Sequence, residues 1–252
     1  MPEGRDGRTA SRHGASPVVS TAAWILYYDN RPTYIHAGMF APFASFLGDH
    51  GGRRLSAKKG DVLWGPDTNI DHVYYCCSGI ARTTFTHENG CRKILSFHTA
   101  GDVFPGASIT RFRLEHSLGI EALTDMQLMV FDVDTFRDLM HRNLDLYDTM
   151  FEWYAREINR LLYESAHQEY NPTITKVANL LLLFSDSGLT GKIGEVALSQ
   201  EDLAEILCIN RVNIAKHLCL LRDEGVIETK RSCILIKDRE KLLSFCTQET
   251  TP

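Results

Sequence analysis

The residues best suited to recognise another molecule lie between positions 199 and 216, on two predicted helices. Apolar residues at helical spacing define the inner faces of these helices: Leu203, Ile206, Leu207, Ile214, Leu218 and Leu221. A different set of side chains remains outside at the start of the second helix: Asn210, Arg211, Val212, Asn213 and Lys216. Amide, guanidinium, apolar and ammonium groups of this kind can read base edges in the major groove of DNA. The spacing predicts a helix-turn-helix, and the alternative is a structural helical hairpin with a solvated polar face.

The segments on either side of this motif supply its ends. Ser199 is a natural N-cap for the first helix, and Asp202 stands where a Glu or Gln would complete a capping box. We predict that Ser199 and Gln200 also contact DNA. Residues 228–236 read as a short β hairpin, and two basic residues at its tip are expected to contact phosphate: Lys230 and Arg231. A hairpin in this position is a wing.

The distribution of charge along the chain is more informative than its total. The 27 Lys and Arg against 32 Asp and Glu give a formal charge of −5, which argues against coating of nucleic acid through bulk positive charge. Between residues 206 and 241, however, eight basic residues stand against five acidic ones, a local charge of +3. So small a basic surface implies few phosphate contacts per subunit and a need for paired half-sites.

The elements before this motif predict a β domain followed by a long helix. From about residue 53 to 131, turn signals recur every ten to twelve residues, which is typical of a small all-β barrel or sandwich. Asn89-Gly90 separates two β-rich runs, 80–87 and 91–97, and predicts a hairpin.

A heptad pattern begins after residue 134 and predicts a helix that ends at Asn171-Pro172, since the residue before proline is pushed out of the α region. Its apolar seam is expected to form a dimer interface through Leu144, Tyr147, Phe151, Tyr154, Ile158 and Leu161. The alternative is an amphipathic helix packed on its own β domain. Asn171-Pro172 is interpreted as a hinge.

Composition excludes several classes of protein. A content of 44% hydrophobic and 23% charged residues is typical of a globular chain, and no apolar run approaches the ~20 residues that cross a bilayer. Residues 1–17 contain no apolar signal segment and are interpreted as a disordered tail. The ten histidines never form a His-x-His pair, and no nucleophile-elbow or phosphate-loop motif occurs. We therefore expect no enzyme, no metal, no cofactor and no membrane partner.

The seven cysteines are odd in number and form no Cys-x-x-Cys pair, which indicates reduced thiols in a cytoplasmic protein. Cys76 and Cys77 are adjacent in a predicted strand, so they point to opposite faces and cannot together hold an iron-sulfur cluster. We interpret Cys76, Cys77 and Cys91 as packing residues. The alternative is that one pair of them responds to oxidation, which would make the chain a thiol-redox regulator.

The order of barrel, long helix, hinge and winged helix-turn-helix resembles the cyclic-AMP receptor and fumarate-nitrate reductase regulator (Crp/Fnr) family. The most specific stretches are Lys59-Gly60-Asp61, Ser78-Gly79, Ala100-Gly101-Asp102 and residues 198–227. Residues 169–173 and Val212 look most like the family's halorespiration regulators. The resemblance implies an α+β fold with an N-terminal cyclic-nucleotide-binding-like β-barrel (jelly roll), a long dimerisation helix and a C-terminal winged helix-turn-helix. The expected boundaries are 1–17 (tail), 18–134 (barrel), 135–170 (dimerisation helix) and 171–252 (DNA-binding domain).

The resemblance also implies a function. It implies a homodimer that binds a palindromic DNA operator, responds to a small-molecule effector and contacts RNA polymerase. In the cyclic-AMP receptor a Glu follows the arginine that corresponds to Arg211 and can accept from cytosine, whereas Val212 suits a thymine methyl group. A ligand-binding dimer without DNA binding remains the alternative.

Departures from the family pattern narrow the effector. Members that bind cyclic AMP use a Glu in one turn and an Arg in a later element, but here the turn carries Gly106 and Ala107 and the later element reads Glu115-His116-Ser117. Iron-sulfur members carry cysteines N-terminal to any in this chain, and haem members place Cys and His after the Gly-Asp turn. We therefore expect an organic effector, an aromatic or aliphatic acid, contacted by some of these residues: His98, Arg111, Arg113 and His116.

Overall fold

The computed structural model describes residues 31–65, 71–106, 117–187, 189, 192–231 and 233–251. Two facing sheets form the N-terminal β domain. One has five strands in the order β1-β6-β5-β8-β3: Ile35–His36, Arg92–His98, Ala81–Thr86, Leu118–Ala122 and Val62–Trp64. The other has four strands in the order β2-β9-β4-β7: Arg53–Ala57, Met126–Asp132, His72–Ser78 and Val103–Phe104. A short 3₁₀ helix (Ala41–Phe43) and helix α1 (Ala44–Asp49) precede β2.

The predicted hairpin is confirmed by β5 and β6. The two strands pair antiparallel, with Ala81 opposite His98 and Thr86 opposite Arg92. Gly90 has a φ of +83°, a backbone angle that side chains with a Cβ rarely adopt, so the Asn-Gly sequence makes the turn possible. A register shift between Thr83 and Thr84 marks a β-bulge.

Two helices, not one, occupy the segment predicted as the dimerisation helix. Helix α2 spans Val133–Arg142 and helix α3 spans Leu144–Tyr170. The chain breaks at Asn143, which has extended backbone angles and whose side chain accepts a hydrogen bond from the Leu146 amide. An asparagine is neutral to unfavourable inside a helix but a strong N-cap, and the heptad pattern contains no signal for this break.

The helix-turn-helix and its wing are confirmed. After helix α4 (Thr173–Ser187), helices α5 (Gln200–Leu207) and α6 (Arg211–Asp223) form the motif, and α7 (Arg239–Leu243) follows the wing. Asp202 completes the capping box in place of a Glu or Gln. The wing consists of β11 (Ile227–Thr229) and β12 (Ile234–Ile236), and β12 also pairs with β10 (Glu195–Val196).

The β domain and the C-terminal helices share one apolar core. Tyr34, Ile94 and Phe97 of the β domain belong to the same buried cluster as the apolar faces of α4, α5 and α6. Two further clusters fill the β domain and the space between it and helices α2 and α3. Among the described residues, no helix combines the length and apolar character needed to cross a membrane.

The packing expected of three cysteines holds for only one. Cys76 is buried between the sheets, and its neighbour Cys77 points outward, as strand alternation requires. Cys77 and Cys91 are exposed, so the prediction that they are packing residues was wrong. Cys91 lies in the connection that leads into β6, where its side chain has no core to enter.

Candidate DNA-binding and effector-binding sites

The N-terminal end of α6 presents the side chains predicted to read DNA. Ile214, Leu218 and Leu221 are buried against the rest of the domain. The opposite face is therefore exposed, and Val212 has 77% of its surface accessible although it is apolar. Exposure is shared by all the predicted contacts at this end of the helix: Asn210, Arg211, Val212, Asn213 and Lys216.

Two predicted contacts act first as helix caps. The Asn210 side-chain oxygen accepts a hydrogen bond from the Asn213 amide at 2.8 Å, which fixes the start of α6. The Ser199 hydroxyl accepts from the Asp202 amide at 3.1 Å and donates to the Asp202 carboxylate at 2.7 Å. Both therefore hold the backbone from which the reading side chains project. Gln200, next to Ser199, is half-buried.

The wing places two cations at its tip. Lys230 and Arg231 lie in the turn between β11 and β12, and both are exposed. The Lys230 amide donates to the Cys233 carbonyl at 2.8 Å, which closes the turn. Because β12 is held by strands on both sides, the turn is presented on a three-stranded sheet rather than on a free hairpin.

A buried polar cluster lies between the β domain and α3. His98 Nδ1 lies 2.6 Å from an Asp102 carboxylate oxygen, and Trp153 Nε1 donates to the other oxygen at 3.2 Å. His36 Nε2 lies 3.0 Å from Glu157, and the His36 and His98 rings stack at 5.4 Å between centroids. The cluster thus joins strands of the β domain to one face of the long helix.

A second part of this cluster extends along α3. The Arg160 guanidinium lies 2.9 Å from Glu157 and 3.4 Å from Glu164, and Lys93 of β6 reaches Glu164 at 3.1 Å. Arg160 and Glu164 are both buried. Buried charges of alternating sign compensate one another, which is the condition under which such groups can be removed from water.

The surroundings set the protonation of the two histidines in opposite directions. Burial alone would lower the pKa of His36, but the hydrogen bond with Glu157 and the Asp102 charge outweigh it and raise that pKa. Burial lowers the pKa of His98, and its contact with Asp102 only partly offsets this. Burial would raise the pKa of Glu157, yet His36 and Arg160 hold it well below its usual range. We assign His36 as the cationic and His98 as the neutral member of the pair.

The chain matches two family descriptions in the expected order. Residues 54–143 match the cyclic nucleotide-binding domain, and residues 175–245 match the Crp-like helix-turn-helix domain. The chain belongs to the Crp/Fnr family. It is accordingly a DNA-binding transcription regulator with an effector-binding domain, and members of this family are regulators rather than enzymes.

Individual relatives are distant in sequence but similar along most of their length. The fumarate and nitrate reduction regulatory protein of Yersinia pestis is 22% identical over 194 residues, 75% of this chain and 77% of its own. FixK2 of Bradyrhizobium japonicum has a TM-score of 0.67 at 20% identity, covering 78% of this chain and 98% of its own. CprK in complex with OCPA has a TM-score of 0.66 at 16% identity, covering 83% and 98%.

In this Crp/Fnr regulator the predicted effector residues fall into two groups. Arg111, Arg113 and His116 lie outside the described residues. His98 lies inside the buried cluster with 3% of its surface exposed, and its other ring nitrogen, Nε2, is 2.8 Å from the Thr83 hydroxyl. His98 therefore already has partners on both sides of its ring.

Sequence reasoning missed most of the cluster. Glu157, Arg160 and Glu164 occupy one face of α3 at spacings of three and four residues, a signal that was present in the chain. Their partners His36 and Asp102 come from distant strands and carry no such spacing. Among the described residues, no group of three or more His, Cys, Asp or Glu side chains is arranged to hold a metal ion.

The predicted seam on α3 is largely exposed in this regulator. An apolar stripe, defined here as Leu144, Tyr147, Phe151, Ile158 and Leu161, faces away from the β domain. Phe151 has 71% of its surface accessible. Tyr154 differs, because its ring packs edge-on against Trp153 and contributes to the core between α3 and the β domain.

Proposed function

We propose that this regulator binds a palindromic operator as a homodimer and responds to a small organic acid. Residues 18–134 act as the sensor, 135–170 as the dimerisation segment and 171–252 as the DNA-binding domain. The observation that carries the DNA-binding part is the start of α6, where Arg211, Val212 and Lys216 are exposed on a helix whose opposite face is fully buried. An exposed apolar side chain between two cations suits a major groove that offers both acceptors and thymine methyl groups.

In the proposed complex each exposed side chain has a separate task. Arg211 donates to a guanine, Val212 contacts a thymine methyl group, and Lys216 reaches a base or a phosphate. Asn213 adds an amide on the same face. Phosphate contacts hold the motif in register and come from the helix start and the wing: Ser199, Gln200, Lys230 and Arg231. Asn210, with its side-chain oxygen used in the cap, keeps only its amide NH₂ group for DNA.

Selection of bound sites from random DNA tests this assignment. We expect paired half-sites about one helical turn apart, with A·T at the pair that faces Val212. The variant Val212→Glu should change the preferred base at that pair towards cytosine, because a carboxylate accepts from the cytosine amino group, with a discrimination of about 1 kcal/mol or more. The rest of the selected site should stay the same. A wild-type requirement for G·C at this pair would contradict the proposal.

The effector proposal rests on the cluster between the β domain and α3. It joins the sensor to the helix that leads into the DNA-binding domain, so a ligand that shifts Trp153 or Glu157 would be transmitted along α3. An acid is favoured because Arg111, Arg113 and His116 supply cationic or ionisable groups to the same region of the sequence. His98 would form the wall behind the ligand. The similar protein CprK has been solved with the small molecule OCPA bound.

Thermal unfolding in the presence of candidate ligands tests the effector class. Benzoate, phenylacetate, hexanoate and cyclic AMP are suitable probes at equal concentration. We expect at least one carboxylate to raise the melting temperature, since a ligand at 100 times its Kd adds about 2.7 kcal/mol of stability, and cyclic AMP to have no effect. The double variant R111A/R113A should lose the shift.

The control for this experiment is R53A/R54A, which removes two exposed arginines from β2 and should keep the shift. Stabilisation by cyclic AMP alone, or a carboxylate shift that R111A/R113A leaves intact, would overturn the assignment of the effector site.

A further inference from the structure

Ion pairs connect the β5–β6 hairpin of the sensor to the first helix of the helix-turn-helix. Arg82 Nη1 of β5 lies 3.2 Å from Asp202 Oδ1, and Arg92 Nε of β6 lies 3.4 Å from Glu205 Oε2. Arg82 also contacts Glu121 of β8 at 3.1 Å. Asp202 and Glu205 are three residues apart, so they lie one helical turn apart on the same side of α5. We call these two pairs, Arg82–Asp202 and Arg92–Glu205, the interdomain contact.

Apolar packing supports the interdomain contact. Ile94 and Phe97 of β6 are buried in the same cluster as Leu203 and Leu207 of α5. The Gln168 side chain of α3 donates to the Leu207 carbonyl at 3.0 Å, which ties the end of α5 to the long helix as well. The helix-turn-helix is therefore held by the sensor on one side and by α3 on the other.

Two exposed cysteines lie at one edge of the interdomain contact. Cys91 directly precedes Arg92, and Cys208 comes three residues after Glu205, at the end of α5. Partial burial raises the pKa of the Cys208 thiol; the Lys93 ammonium lowers it, and Glu164 and the Cys91 thiol raise it. The two thiols are thus near enough to influence each other across the boundary between sensor and DNA-binding domain. Cys208 also adopts a left-handed backbone, with φ of 52°.

We propose that Cys91 and Cys208 are a redox modification site, at which a peroxide converts the two thiols into a disulfide that fixes α5 on the sensor. The proposal rests on the proposed DNA-binding function, because loss of DNA binding is its consequence. Neither cysteine belongs to the recognition surface on α6, so the site acts through position and not through contact with bases.

The chemistry balances with the peroxide as the oxidant. The Cys91 thiolate attacks one peroxide oxygen, the O–O bond breaks, and the product is a sulfenic acid together with water or an alcohol. The Cys208 thiol then attacks the sulfenic sulfur, the S–S bond forms, and the hydroxyl group leaves as water. Two electrons pass from the two sulfurs to the peroxide. Exposed Cys91 is the attacking thiol because the raised pKa of Cys208 disfavours its thiolate.

The disulfide would oppose DNA binding through the first turn of α5. This turn carries Ser199 and Gln200, and its Asp202 is paired with Arg82, whose other partner is the Glu121 carboxylate. A DNA backbone that approaches the turn meets the sensor and a second negative charge. Fixing the interdomain contact therefore removes the population in which α5 is free to approach phosphate.

Peptide mapping after peroxide treatment identifies the bond. Trypsin should yield peptides 83–92 and 193–211 joined through Cys91 and Cys208, and dithiothreitol should separate them. The reaction should occur within one chain, so the denatured protein should run as a monomer on a non-reducing gel. The absence of the joined peptide in treated protein, or a covalent dimer linked through these cysteines, would overturn the proposal.

Binding to the selected operator measures the consequence. We expect peroxide to lower the affinity of the wild type by at least about tenfold, and dithiothreitol to restore it. The variants C91S and C208S should bind equally well with and without peroxide, whereas the exposed control C77S should behave as the wild type. Peroxide sensitivity retained in both C91S and C208S would contradict the proposal.

The same binding assay separates the two hypotheses. Reduced wild-type protein that fails to bind any DNA would contradict the proposed function, whereas the peptide map reports on the disulfide independently of DNA.

Discussion

Replacing Arg211 by alanine is expected to abolish high-affinity operator binding while leaving the fold intact. A bidentate contact between arginine and guanine contributes about 1–3 kcal/mol of discrimination per base pair. A homodimer makes this contact in both half-sites, so the affinity should fall roughly 30-fold to 10⁴-fold. Because the side chain is exposed and belongs to no buried cluster, thermal stability should change by less than about 0.5 kcal/mol.

Two further variants sharpen this measurement. Lys216→Ala should also weaken binding, since Lys216 lies on the same exposed face. Arg222→Ala is the matched control, because Arg222 is an exposed arginine of α6 in its last turn, where it contacts Cys219 and Asp223. We expect Arg222→Ala to retain operator affinity within about threefold, in line with a surface substitution away from the interface.

The measurement is a titration of the selected operator by gel shift or fluorescence anisotropy at one stated salt concentration, because phosphate contacts make affinity salt-dependent. If Arg211→Ala and Lys216→Ala both bind as the wild type does, the helix-turn-helix reads DNA by another surface. If the wild type itself binds no DNA, the alternative of a ligand-binding dimer gains support.

The helix-turn-helix could be predicted closely because its determinants are local. Ser199 and Asp202 fix the start of α5, and Asn210 fixes the start of α6 through its own side chain. The apolar residues Ile214, Leu218 and Leu221 recur at helical spacing and are all buried. Each signal lies within a few residues of the structure it determines, which is the condition under which sequence patterns are most informative.

Features that depend on contacts distant in sequence could not be predicted. His98 resembles a ligand-binding group in sequence, but its environment comes from Asp102, Thr83 and the stacked His36 ring. The interdomain contact joins residues 120 positions apart in the chain, Arg82 and Asp202. A hinge at Asn171-Pro172 suggests a separate DNA-binding domain, whereas the shared core shows that it packs against the sensor.

The break at Asn143 belongs to the same class of error. The heptad spacing continues in the residues that follow it, so the pattern predicts an uninterrupted helix. Whether an asparagine ends one helix or begins another depends on the neighbouring packing, here the burial of Leu139 and Leu146 on either side of it. Tertiary burial therefore sets the boundary, and helix propensity alone does not.

Introducing a charge into the apolar stripe of α3 is expected to convert the regulator into a monomer. Phe151→Glu is the sharpest test, because this ring is among the most exposed large apolar side chains of the described residues. Burying such a side chain contributes about 1.5–3 kcal/mol, and two-fold symmetry places the substitution in the interface twice. The Kd for dimerisation should therefore rise roughly 10²-fold to 10⁴-fold. Operator binding should weaken with it, because the basic surface of one subunit provides few phosphate contacts.

Asn159→Glu is the matched control for Phe151→Glu. Asn159 is exposed on the same helix but lies away from the stripe, since it is one residue beyond Ile158 and successive helical residues are 100° apart. It introduces the same charge, so a general effect of acidity on α3 would appear in both variants. We expect light scattering to report a dimer for the wild type and Asn159→Glu, and a monomer for Phe151→Glu at micromolar concentration. A wild type that remains monomeric at this concentration, or a Phe151→Glu variant that remains dimeric, would show that the stripe does not form the dimer interface.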